Sequence, residues 1–144
     1  MNRQIKFGVS TWLWQSPFTT ASIELFPKIR KMGFDVVEIP IEDPSLIDVE
    51  TVKKALDGNG LQPSICVVFN DDKDLTSDNT ALYQNCFEHA EKCFEISAAF
   101  EVDFVAGPLY AAVGKARLAS DEEKNKEWGR AVANLRTLSG IAKK

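Results

Sequence analysis

Cys86, His89 and Cys93 stand at i, i+3 and i+7 and offer two thiols and an imidazole, donors that zinc accepts. One straight helix would hold the first and last about 10 Å apart at 1.5 Å per residue, too far for one tetrahedral ion, so the spacing predicts packing. Asp71, Asp72 and Asp74 bring the oxygen donors of a hard cation, but on a loop without further spacing support they read as solvated surface. Glu38 puts a carboxylate into an otherwise apolar run and needs either a paired partner or a polar opening. Cys66, between Ile65 and Val67, is either a small buried hydrophobe or a thiol facing a ligand. Trp12 and Trp14 would share one face of a strand, either beneath a helix or against the apolar side of a bound molecule.

The elements that must position these residues alternate. Lys6 to Trp12 is β-branched and aromatic and reads as a first strand. Thr20 is a candidate N-cap for a helix in which Ile23, Phe26 and Ile29 repeat until Gly33, with Pro27 bending it or delaying its start. Asp35 to Ile39 is a short apolar strand closed by Pro40. Asp48 caps a second helix, Ile47 and Val52 hold the hydrophobic-staple positions, and Asp57-Gly58-Asn59-Gly60 ends it. Ser64 to Phe69 is a third strand, and an acidic loop follows from Asn70 to Asp78. A long helix runs from Asn79 to Phe100 with two adjacent apolar stripes, one through Leu82, Cys86, His89, Cys93 and Ile96. Asp103 to Gly107 is a fourth strand, Pro108 to Ser120 a long loop, and a fourth helix starts at Asp121. Strand and helix alternate four times with no hairpin signal between strands, which predicts an α/β fold with a parallel sheet.

Composition narrows the function classes. The 144 residues are 44% hydrophobic and 26% charged, as in an ordinary globular domain. A net charge of −4 argues against the phosphate-neutralising surface of a nucleic-acid binder. No apolar run reaches the roughly 18 residues of a membrane span, and the N-terminus has no signal-peptide pattern, so a cytoplasmic location is expected. Three cysteines at irregular spacing suit a reducing compartment. Nothing matches the glycine-rich GxGxxG or Walker loops that cradle nucleotides.

Four strings are specific enough to suggest a family: GVSTWLWQSPFTT, KMGFDVVEIPIEDPSLID, DLTS and FVAGPLYAAVGKARL. In that order they resemble the N-terminal half of the sugar phosphate isomerase/epimerase group with the xylose-isomerase-like TIM barrel, and within it the ketose 3-epimerases acting on D-tagatose and D-psicose. The resemblance implies that residues 1–144 form one (β/α)4 half of a TIM barrel that stops before the fifth strand, since the whole barrel takes about 250 residues. It further implies a divalent metal such as manganese, magnesium or cobalt. Two glutamates would exchange the proton at C3 while the metal stabilises an enediolate. The glutamates and metal ligands of the family lie beyond the matched strands, so no catalytic or metal-binding residue carries over and the chain alone is expected to be inactive.

Carried over residue by residue, the resemblance puts Ser10, Trp14, Phe18, Cys66, Pro108 and Val113 on the substrate-binding wall. Ser10 and Val113 depart from the family's aromatic residues, and Glu101 stands where a helix-ending glycine is expected. A half-barrel leaves open strand edges and exposed apolar groups, which predicts self-association or pairing with a separate C-terminal half into an active epimerase. The remaining alternative is a non-enzymatic interaction domain with an open, flavodoxin-like sheet. No membrane partner is expected.

Overall fold

The computed structural model describes residues 5–143. Four strands, β1 (Gly8–Ser10), β2 (Val36–Ile41), β3 (Gln62–Val67) and β4 (Val105–Ala106), form one sheet in the order β1-β2-β3-β4. Each described pair is parallel. Helices α1 (Phe26–Lys31), α2 (Val49–Asn59), α3 (Thr80–Ala99) and α4 (Asp121–Ile141) follow the strands in turn, so the alternation expected from the sequence is the observed topology.

Local chemistry moves several boundaries. The first strand ends at Ser10, earlier than its β-branched pattern suggests, and Thr11–Leu13 turns into a 3-10 helix. The Ser10 hydroxyl accepts from the Trp12 N–H, and this local bond competes with strand pairing. Trp12 and Trp14 therefore do not share a strand face. The next helical segment opens at Thr20, with Thr19 rather than Thr20 as its cap: the Thr19 and Ser22 side chains form a reciprocal capping box. Pro27 sits in the first turn of α1, where a missing N–H is harmless, so it delays the helix rather than bending it.

Pro40 does not close β2 but lies within it, opposite Cys66 of β3. The reason is geometric. The Glu38 carbonyl points toward the β1 side, where it accepts from Thr11 Oγ1. Pro40 has the same parity, so the N–H it lacks would face that side too, and there β1 has already ended. The second helix is read correctly from its signals: Asp48 accepts from the Thr51 N–H, and Gly60 adopts the left-handed conformation that ends it.

The core lies between the helices and one face of the sheet. Val37, Ile39 and Ile41 of β2 and Ile65 and Val67 of β3 are buried there with Phe26, Ile29, Val52 and Leu56. Cys86, Cys93 and Ile96 supply the facing stripe of α3. His89 shares that burial, its ring edge-on to Phe69 at 6.0 Å, and its Nε2 has no hydrogen-bond partner among the described residues. Burial, aided by the nearby Lys73 charge, holds its pKa below the usual histidine value, so it stays neutral. Glu101 follows α3 with φ 59°, a left-handed backbone on a non-glycine residue. Its carboxylate reaches Lys53 at 2.7 Å.

Candidate functional site

Alternation along the strands sends one set of side chains to the helices and leaves the other on the inner face of the sheet. With Val37 and Ile39 committed to the core, Glu38 projects to the opposite side, in register with Ser10 of β1 and Ser64 of β3. This row of two hydroxyls and a carboxylate borders a notch of about 260 Å³ that Gly8, Val9 and Val36 complete. The Glu38 carboxylate has no hydrogen-bond or ion-pair partner among the described residues. Its main-chain carbonyl is the acceptor used by Thr11.

One step further toward the C-terminal ends of the strands, Pro40, Cys66 and Ala106 form the next row. Cys66 is buried, and burial, reinforced by the charges of Glu38 and Glu42, pushes its thiol up to about 11. It is a protonated thiol at neutral pH rather than a nucleophile. Behind it runs Gly107 with φ 131°, so close that an added Cβ would lie 2.3 Å from the Val67 carbonyl oxygen. Only glycine fits that crossing.

The segment after Gly107 lies across the end of β3. The Phe69 N–H donates to the Pro108 carbonyl at 3.4 Å and the Val113 N–H donates to the Phe69 carbonyl at 2.8 Å. These bonds set Pro108 and Val113 beside Phe69, three residues after Cys66, with Val113 substantially exposed. Trp14 and Phe18 have other surroundings. Trp14 packs partly against the core with the Lys28 ammonium 5.3 Å above its ring. Phe18 is fully buried and stacked on Phe26 at 6.4 Å, so in this structure it presents no surface to a ligand.

Asp74 corrects the expectation of a solvated acidic cluster. Its carboxylate is buried, accepting from the Thr76 N–H and hydroxyl and from Lys115 Nζ at 2.8 Å. Burial alone would raise its pKa, but the hydrogen bonds from Lys115 and Thr76 outweigh that and hold it below the ordinary carboxylate value. Lys115 also reaches Glu127 of α4 at 2.9 Å, and Arg130 and Asn134 of α4 donate to the Thr76 and Leu75 carbonyls. Sequence reasoning missed this network. The Asp-x-Thr spacing of 74 and 76 was its one local signal, since an aspartate accepting from the residue two ahead makes an Asx turn.

Among the described residues, no three His, Cys, Asp or Glu side chains come close enough to share a metal ion. The described side chains thus offer no divalent-metal site of their own, and the ligands that the resemblance implies belong to strands beyond the matched ones. No described helix is long and apolar enough to cross a membrane.

The family model of the xylose isomerase-like TIM barrel matches residues 26–144. The chain belongs to this family. A ketose 3-epimerase of Arthrobacter globiformis is 30% identical over 112 residues, covering 77% of this chain and 39% of that protein. An L-ribulose 3-epimerase of Mesorhizobium japonicum is 24% identical over 139 residues, covering 96% of this chain and 46% of that protein. Among solved structures, D-allulose 3-epimerase from Methylomonas sp. in complex with D-allulose superposes with a TM-score of 0.84 at 23% identity, over 96% of this chain and 47% of that one. At that identity the likeness concerns the fold. This member of the family thus spans half or less of the length of these relatives and is homologous to the N-terminal half of ketose 3-epimerases.

Proposed function

We propose that this chain supplies one half of the sugar pocket of a ketose 3-epimerase and that turnover requires a second half bearing the catalytic carboxylates and the metal. The observation that carries this reading is the all-parallel sheet of four strands, whose outer strands β1 and β4 have no further partner strand among the described residues, matched to about half of an epimerase barrel. In this role the residues of the chain bind and shape rather than transfer protons. Ser10 offers a hydroxyl to the sugar. Cys66, Pro108 and Val113 form an apolar wall that excludes water from one side of the ring, and Trp14 lies on the neighbouring loop. The substrate is a ketose of the kind named for the relatives, and the pairing half is a (β/α)4 unit.

The test is light scattering and a D-fructose to D-psicose assay on the purified chain, with and without manganese. Both are repeated with the separately produced C-terminal half of the Arthrobacter globiformis ketose 3-epimerase. The expected result is no turnover by the chain alone, and a heterodimer with metal-dependent turnover in the mixture. Turnover by the chain alone, or two halves that never associate, would overturn the reading.

A further inference from the structure

We propose that the notch beside Glu38 seats a guanidinium group, an arginine side chain that the complementary (β/α)4 half inserts when it covers the inner face of the sheet. This inference rests on the half-pocket reading above and adds the chemistry that the covering half must carry.

Glu38 lies in the middle of the sheet, on β2, with a neighbouring strand on each side. The residue is half-buried, so water can reach it, and its carboxylate is unpartnered among the described residues. Covering the inner face removes that water, and an unpaired carboxylate left beneath a polypeptide is strongly unfavourable. The neighbours in register are the small hydroxyl residues Ser10 and Ser64, which leave the notch open and add acceptors on both sides of the carboxylate. A row of acceptors about 4.8 Å apart from strand to strand suits the several donors of a planar guanidinium better than the single point charge of an ammonium.

Phe104, just before β4, is 66% exposed but lines a cleft with Phe94 and Ser97 of α3 rather than the notch. Charge also selects the occupant. A second copy of this chain would bring its own Glu38 against the first, so the face is mismatched to itself and matched to a basic partner.

The proposal is tested by nuclear magnetic resonance on the labelled chain, titrated with ethylguanidinium chloride far below denaturing concentrations and with sodium chloride as control. The expected result is saturable shifts centred on the Ser10, Glu38 and Ser64 amides that sodium chloride does not reproduce. They should weaken about tenfold or more in Glu38→Gln, whose fold is checked by circular dichroism. Ser64→Ala, a second variant that leaves the charge in place, should weaken them less. Absence of saturable shifts, or shifts unchanged in Glu38→Gln, would overturn the proposal. So would a complementary half that binds wild type and Glu38→Gln equally, a result that leaves the half-pocket reading intact. Ethylguanidinium binding at the notch without association of any complementary half would overturn both the half-pocket reading and the proposed occupant, leaving only a guanidinium-binding notch.

Discussion

Lys115 Nζ stands 2.8 Å from Asp74 Oδ2, and this contact ties the loop after β4 to the loop after β3 across the C-terminal end of the sheet. Because Lys115 also pairs with Glu127, the first turns of α4 are drawn into the same clasp. The segment carrying Pro108 and Val113 is thereby held at both ends: by backbone bonds to Phe69 and by the Lys115 side chain.

Asp74→Asn should destabilise the chain by about 2–4 kcal/mol at neutral pH, because it breaks a largely buried, hydrogen-bonded ion pair. The pH dependence has a definite sign. Asp74 is held below its ordinary value of 3.8 in the folded chain, so the unfolded chain takes up the proton first as pH falls. Its contribution is complete above that ordinary value and disappears as pH falls through the folded value. Urea unfolding at pH 7, 4 and 3 should therefore show wild type losing stability below about pH 4 more steeply than Asp74→Asn. Parallel losses in the two proteins would refute the assignment.

Gly107→Ala should cost on the order of 3 kcal/mol or more, since the added methyl carbon meets the Val67 backbone and the φ of 131° is strained for any other residue. The measurement is the thermal midpoint and soluble yield of the variant. A midpoint equal to wild type would mean that the β4 crossing is looser than described.

Glu101→Gly should raise the thermal midpoint, and Glu101→Ala should lower it. Glycine adopts φ 59° without strain, whereas alanine keeps the strain and loses the exposed pair with Lys53. Scanning calorimetry of the two variants separates backbone strain from charge. If both variants fall equally, the ion pair outweighs the strain.

The cysteines are expected to be silent in the native chain. Burial pushes Cys66 to about 11 and Cys86 and Cys93 to about 12, so at pH 8 none is an accessible thiolate. A thiol reagent should label none rapidly in the native chain, and all three after denaturation. Fast labelling of Cys66 alone would show that the inner face opens at β3.

The parts legible in the sequence are those encoded over a few neighbouring residues. Asp48, Val52 and Gly60 delimit α2 because capping and staple contacts span a single helical turn. The long stripe of α3 reads as core because its period matches the helix. The strand end expected at Pro40 is absent because the tolerance of this proline in β2 depends on where a different strand ends, which no local pattern records. The candidate site shows the same division. The strand alternation encoded around Ser10 and Cys66 puts both on the inner face of the sheet, whereas the stacking of Phe18 on Phe26 is set by how the loop after β1 folds back on α1.

By itself, then, the sequence determined the alternation of strands and helices, the parallel connection, the best-capped helix and the family resemblance, because each arises from spacing and propensity along a continuous stretch. Only the tertiary structure decided that Asp74 is clasped by Lys115 rather than solvated, and that Glu38 stands between two serines on the inner face of the sheet with no partner among the described residues. Those facts join residues from separate elements, and whether a charge is paired or exposed depends on the neighbours that folding brings across the chain.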